Sequence, residues 1–83
     1  MTGFFKQVYQ KVLISGQVQG VGFRYWIRGK FKELGIEGKV WNNDDGTVGV
    51  EVTSGSEPEV KKLLEFLKQG PALARVDKVV ILK

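Results

Sequence analysis

Hydrophobic and polar residues change their spacing along the chain, and the first half predicts one strand followed by one helix. Residues 8–15 (VYQKVLIS) are rich in β-branched side chains, and Val12 and Ile14 share one face of the predicted strand. From residue 23 to residue 34, large apolar residues recur every three or four positions, which is typical of a helix with one buried stripe. Gly35 follows that stripe and is suited to end the helix.

The middle of the chain predicts a β-hairpin. Residues 36–43 form a second strand-like run, and the turn 44–47 (Asp-Asp-Gly-Thr) supplies the Asp-Gly pair that favours a tight hairpin. In residues 48–53, valines alternate with small or polar residues, as expected of a strand with one buried face.

The last third repeats the helix and strand. Ser56 and Glu59 have the spacing of a capping box, so a second helix is predicted to open within residues 54–59. Its apolar stripe ends before Gly70-Pro71, which stops a helix, and residues 75–82 predict a final strand.

This βαββαβ order predicts an α+β fold. Two right-handed βαβ crossovers joined by the hairpin give a ferredoxin-like plait, a four-stranded antiparallel sheet with both helices on one face. We expect all 83 residues to form a single domain, with residues 1–7 as a flexible N-terminal tail. Since this fold carries many unrelated activities, the function has to be argued from particular residues.

Composition limits the chemistry. The chain contains neither cysteine nor histidine, which excludes disulfides, the common zinc sites and imidazole catalysis. The net charge of +4 favours anionic partners, among them nucleic acid, acidic lipid and phosphorylated metabolites. No apolar run has the length of a membrane span or a secretory signal, so we expect a cytoplasmic protein without a membrane partner.

The stretch Gly16–Arg24 (GQVQGVGFR) is the strongest candidate for a binding site. Three glycines lie where the first strand ends and the first helix begins, and glycine lets a ligand approach the main chain closely. Exposed N–H groups in such a turn, together with a helix N-terminus, bind anions, and Arg24 adds a guanidinium in the first turn of the helix. A tight strand-to-helix turn with a surface arginine is the structural alternative.

Asn42 is the second candidate. The predicted topology places the second strand at a sheet edge, and its end can meet the glycine-rich loop above the sheet. The side-chain amide both donates and accepts hydrogen bonds, so it can hold a water molecule for attack on a bound electrophile. The alternative is an asparagine that solvates the end of a strand.

These segments together resemble the acylphosphatase family. The resemblance rests on Gly16–Arg24, on Gly38–Asn42 (GKVWN), on Asp45–Val48 (DGTV), and on Gly70-Pro71 followed by Ala74-Arg75-Val76. It covers nearly the whole chain, and the first two motifs are specific in combination.

The resemblance implies hydrolysis of the carboxyl-phosphate bond of an acyl phosphate, without a metal, a cofactor or a covalent intermediate. In that scheme Arg24 and the loop N–H groups hold the phosphoryl oxygens, and Asn42 orients the attacking water. The implied phosphate-binding residues are Gln17, Val18, Gln19, Gly20, Val21, Gly22 and Arg24. Inorganic phosphate is then product and competitive inhibitor, and we expect a monomer that does not bind nucleic acid.

Three features depart from the family pattern. Trp41 stands where the family commonly has a basic residue, and by strand alternation it is expected to face away from Asn42. Phe31 stands where a small residue is common, which predicts a repacked core. The sequence stops at Lys83, before the short C-terminal strand that the family usually has.

Two other functions are considered. An RNA-binding module of this fold needs stacking aromatics on the middle strands, and residues 48–53 contain none. The other alternative is a non-catalytic or carbamoyl-phosphate-handling domain of the kind found in larger hydrogenase-maturation proteins. A chain of 83 residues argues against it, since we expect such a chain to act alone. Tyr25 and Trp26 could line an acyl pocket, but we expect them to pack or to lie half exposed.

Overall fold

A computed structural model describes residues 6–82 of the chain. The predicted order of elements is confirmed, and the bounds of the six elements are β1 (Gln10–Gln17), α1 (Phe23–Leu34), β2 (Glu37–Asn42), β3 (Val48–Ser54), α2 (Glu57–Gln69) and β4 (Arg75–Leu82). Neither of these two helices has the length and apolar composition that crossing a membrane requires.

The four strands form one antiparallel sheet in the order β2-β3-β1-β4. The first and third strands are central and the second lies at an edge, as predicted. Val48, Val50 and Val52 of β3 are buried on the same face of the sheet, and the buried residues of both helices join them in one core. Both helices therefore cover the same side, and the ferredoxin-like plait is confirmed.

The first strand differs from its predicted bounds. It begins two residues later than predicted, at Gln10, and continues through Gln17, into the glycine-rich stretch. The pairing with β4 shifts register between Ser15 and Gly16, which is a β-bulge. Gly16 has φ 130°, and a Cβ there would overlap the carbonyl oxygen of Arg75, so the strand can pass this point only with glycine.

The second strand is one residue shorter at each end than predicted. Ile36 is buried, and its N–H donates to the Phe31 carbonyl at 2.9 Å as part of the helix C-terminus. Asn43 belongs to the hairpin, since its N–H donates to the Thr47 carbonyl at 2.9 Å. Phe31 itself lies in the core beside Gly38, where a Cβ would come within 3.0 Å of its ring.

The predicted tail lies partly outside the described residues. Residues 1–5 are not described, whereas Lys6 and Gln7 are held against the start of α2. The Lys6 carbonyl accepts from the Glu57 N–H at 2.8 Å, and Gln7 forms an isolated bridge with Ser56. These two contacts join Lys6 and Gln7 to the start of α2, and the flexibility of the segment 1–7 stays a prediction.

Candidate active site

A cavity of about 170 Å³ opens where the glycine-rich loop, the start of α1 and the end of β2 meet. The structure brings Arg24 and Asn42 together here, although they come from different elements. Of the other predicted phosphate-binding residues, the cavity is lined by Val18, Gly20 and Gly22, but not by Gln17, Gln19 or Val21. Phe23, Tyr25 and Arg28 complete its lining.

The loop is shaped by an alternation of buried valine and exposed glycine. Val18 is buried in the core, and Val21 packs half-buried against it. Gly20 and Gly22 have φ of 75° and 74°, in the left-handed region that favours glycine, and a Cβ on either would meet no atom within 4 Å. The main chain of the loop therefore turns outward at both glycines and borders open space.

The first turn of α1 faces this space with free backbone donors. Gly22 is the N-cap residue, so no side chain caps the helix, and the first turn contains no acidic residue. The first N–H groups of a helix have no intrahelical partner, and the helix dipole adds a partial positive charge there. An anion placed at this end is thus stabilised by both effects.

The charged side chains around the cavity are cationic. Arg24 and Arg28 line it and are exposed, and none of its lining residues is acidic. The ion pairs found within residues 6–82 are Lys30 with Glu33 and Arg75 with Asp77, so neither cavity arginine is neutralised by a described carboxylate. The guanidinium of Arg24 thus lies at the cavity without a counter-ion among the described residues.

Asn42 reaches the cavity because of strand alternation. Val40 points into the core, and Asn42, two residues further along β2, is on the same side of the sheet. Trp41 is on the opposite face, as predicted, where its indole covers Gly49 so closely that a Cβ at residue 49 would overlap the ring. The substitution of tryptophan at position 41 therefore changes the open face of the sheet and not the cavity lining.

Hydrogen bonds within the hairpin fix the turn that follows Asn42. The Trp41 Nε1–H donates to Asn43 Oδ1 at 2.9 Å, and Asn43 Nδ2 donates to Thr47 Oγ1 at 3.0 Å. The Thr47 hydroxyl and N–H donate to Asp45 Oδ1 at 2.6 Å and 3.1 Å. These bonds to Thr47 stabilise the carboxylate and lower the pKa of Asp45.

Gln19 connects the glycine-rich loop to this hairpin. Its side-chain Nε2 donates to the carbonyl oxygens of Asn43 and Thr47, each at 2.8 Å. From the sequence, Gln19 was predicted only to belong to the phosphate-binding loop, and this contact was missed. No spacing along the chain relates residue 19 to residues 43 and 47; only the topology, which places the hairpin beside the loop, brings them together.

Arg28 is a second cavity residue that the site prediction missed. It follows Arg24 at the i, i+4 spacing, so the helix periodicity was the signal that could have found it. Of the two neighbouring aromatics, Tyr25 lines the cavity and is 82% exposed, whereas Trp26 is partly buried against the core. Trp26 meets Phe23 edge-on, with ring centroids 5.6 Å apart.

The strand order and the placement of both helices define a ferredoxin-like domain, and comparison with known proteins identifies its family. The family model described as acylphosphatase matches residues 10–83. The chain therefore belongs to the acylphosphatase family, whose members are hydrolases that act on acid anhydrides. The family and the class of enzyme predicted from the sequence are confirmed.

Two relatives named acylphosphatase show how far the similarity extends. The Lactococcus lactis protein is 59% identical over 56 residues, a segment covering 68% of this chain and 55% of that protein. The Rhodopseudomonas palustris protein is 42% identical over 74 residues, which cover 89% of this chain and 74% of that protein. The match to the first relative thus spans little more than half of its length.

Solved structures show the same fold. The crystal structure of acylphosphatase from Bacillus subtilis superposes with a TM-score of 0.86 at 28% identity, covering 93% of this chain and 83% of that one. Full-length HypF in its phosphate- and nucleotide-bound form superposes with a TM-score of 0.85 at 26% identity. That match covers 99% of this chain but 11% of HypF, so the fold also occurs as a small part of a much longer protein.

Proposed function

We propose that the chain hydrolyses the carboxyl-phosphate bond of acyl phosphates, releasing a carboxylate and inorganic phosphate. The observation that carries the proposal is that Arg24 and Asn42 line one cavity at the uncapped N-terminus of α1. Phosphoryl transfer to water depends mostly on positioning and charge stabilisation. The guanidinium of Arg24 and free main-chain N–H groups can stabilise the charge, and the amide of Asn42 can position the water.

The phosphoryl group binds to the loop and to Arg24. The N–H groups of the loop residues that line the cavity (Val18, Gly20 and Gly22) and of the first turn of α1 donate to its oxygens. The Arg24 guanidinium donates in a fork that fits two oxygens at once. Negative charge on these oxygens is distributed over three positions in the transition state, and fixed donors aimed at them lower the barrier. The loop glycines permit this because they keep side chains out of the space that the phosphoryl group fills.

Asn42 orients the attacking water. The water oxygen forms a bond to phosphorus while the bond between phosphorus and the carboxyl oxygen breaks, and the electron pair leaves with the carboxylate. The protons of the water remain with the phosphate and the solvent. Because a carboxylate is a good leaving group, the step requires little acid catalysis, and positioning by Asn42 and Arg24 suffices without a metal or a covalent intermediate.

The RNA-binding alternative receives little support from the sheet. Within the described strands, the sole aromatic residue is Trp41, on the edge strand β2, and the central strands β1 and β3 have none. Stacking on the middle strands is the basis of RNA recognition by this fold, so a second function is not proposed. A monomeric, cytoplasmic single domain stays a prediction.

Benzoyl phosphate tests the proposal. Purified protein should hydrolyse it faster than buffer in the presence of a metal chelator, and in ¹⁸O-labelled water the label should enter the phosphate and not the benzoate. Inorganic phosphate should inhibit competitively. The absence of turnover above the buffer rate would refute the activity, and label in benzoate would refute attack at phosphorus.

A further inference from the structure

The cavity extends beyond the phosphoryl site towards a second arginine that the proposed chemistry does not use. Arg28 lines the same cavity as Arg24 and Asn42. Residues four apart in a helix lie on the same face, with Cβ atoms about 6 Å apart. Arg28 therefore stands one turn along α1 from Arg24, on the same face of the helix and in the same cavity.

Among residues 6–82, Arg28 has no ion-pair partner that accounts for its charge. It is exposed and takes part in neither of the ion pairs formed within residues 6–82. Lys30, two residues further along α1, differs from Arg28 because its charge has partners within the described residues. Lys30 pairs with Glu33 at 3.4 Å, and its Nζ lies 4.3 Å from the ring centroid of Phe66.

The surroundings of Arg28 favour a second anion over an apolar group. Its helix neighbour at i−4 is Arg24, and none of the residues lining the cavity is acidic. The aromatic residue beside it, Tyr25, is 82% exposed, so it does not enclose an apolar pocket. A planar guanidinium in an unneutralised cationic environment binds a carboxylate or phosphate by two parallel hydrogen bonds.

We propose that Arg28 determines substrate specificity by binding a second anionic group, a carboxylate or a phosphate, carried on the acyl part of the acyl phosphate. The inference rests on the proposed function, since it assigns the acyl end of the same substrate. Arg28 acts on recognition alone: it touches neither phosphorus nor the attacking water. Because the site is open to solvent, the expected preference is about three- to tenfold in kcat/KM and weakens with added salt.

The test compares rigid substrates that differ only at the far end. Benzoyl phosphate, 4-methylbenzoyl phosphate, 3- and 4-carboxybenzoyl phosphate and 4-phosphonobenzoyl phosphate are hydrolysed by the wild type, Arg28→Ala and Arg28→Glu. Lys32→Ala is the matched control, because it removes an exposed cation from the same helix without altering the cavity lining. The measured quantity is the ratio of kcat/KM for each anionic substrate to that for 4-methylbenzoyl phosphate.

In the wild type at least one anionic substrate should be preferred, and Arg28→Ala should lower that ratio about three- to tenfold while benzoyl phosphate is still hydrolysed. Arg28→Glu should lower it further, and Lys32→Ala should leave it unchanged. The carboxylated and phosphonylated substrates then show which anion is bound. Equal ratios in the wild type and Arg28→Ala would overturn the role of Arg28 alone, whereas failure of the wild type to hydrolyse any of these substrates would overturn the proposed function.

Discussion

Within residues 6–82, Gln19 is the one side chain that hydrogen-bonds the glycine-rich loop to the hairpin that carries Asn42, and Gln19→Ala tests that connection. The substitution removes two hydrogen bonds of 2.8 Å, to the carbonyls of Asn43 and Thr47, without altering any side chain that lines the cavity. Loop and hairpin would then be related only through the sheet and the core.

The expected loss of stability depends on the hydrogen bonds that the carbonyl oxygens of Asn43 and Thr47 keep in Gln19→Ala. Each keeps a second donor: the Gly46 N–H donates to Asn43 O at 3.2 Å, and the Asn43 N–H donates to Thr47 O at 2.9 Å. No acceptor is left unsatisfied, so the loss is the net value of two hydrogen bonds, about 1–2 kcal/mol in the free energy of unfolding. For a domain of this size, that lowers Tm by about 5–15 °C.

Chemical denaturation and benzoyl phosphate kinetics measure the two consequences. Besides the loss of stability, kcat should fall several-fold, since phosphoryl group and water are no longer held in register, while the Ki for phosphate changes less. Gln69→Ala, at an exposed position at the end of α2, is the control and should change neither quantity. If Gln19→Ala unfolds with the wild-type free energy and retains full kcat, these hydrogen bonds contribute neither to stability nor to catalysis, and the role assigned to Gln19 is wrong.

Three further substitutions test the fold around the site. Gly16→Ala forces a Cβ against the Arg75 carbonyl at a positive φ, and should cost about 1–3 kcal/mol in urea unfolding; an unchanged midpoint would mean that the bulge tolerates a side chain. Leu63→Ala opens a cavity at a fully buried core position and should cost about 2–5 kcal/mol by the same measurement, with a smaller loss counting against a tightly packed core. Hydrogen bonds from Thr47 lower the pKa of Asp45 in the folded state, so its contribution to stability is present above about pH 4 and is lost as pH falls through the folded pKa. Asp45→Asn should accordingly show a smaller drop in Tm between pH 7 and pH 3 than the wild type. Equal drops would mean that Asp45 does not contribute to the pH dependence of stability.

The elements could be predicted because each carries its own local signal. The apolar stripes of the helices, the Asp-Gly turn and the Ser56–Glu59 capping box are short-range patterns, and the capping box forms as expected. The strand ends differ from their predicted positions, since they depend on pairing partners. β1 runs on to Gln17 because β4 lies beside it and Gly16 accommodates the bulge, and neither fact is encoded in residues 8–15.

In the candidate site, too, some residues could be predicted from local patterns and others could not. Arg24 was a candidate because a glycine-rich loop precedes a helix, and Asn42 because an amide ends a strand, but both patterns also have structural explanations. The resemblance to the acylphosphatase family selected these two residues as the site. The contacts of Gln19 with Asn43 and Thr47 were missed because these residues are far apart in the sequence, and only the folded topology brings them together. Arg28 was missed for a different reason: its helical spacing from Arg24 was visible, but an exposed arginine on a helix is ordinarily a solvated charge.

The central claim is that one site divides its work between Arg24, which holds the phosphoryl group, and Asn42, which holds the water. The measurement that tests it most directly is the comparison of kcat for benzoyl phosphate and Ki for inorganic phosphate in Arg24→Ala and Asn42→Ala. Arg24→Ala should raise the Ki and lower kcat. Asn42→Ala should lower kcat by at least tenfold, about 1.4 kcal/mol, and leave the Ki near that of the wild type. Full kcat in Asn42→Ala, or unchanged phosphate binding in Arg24→Ala, would contradict it.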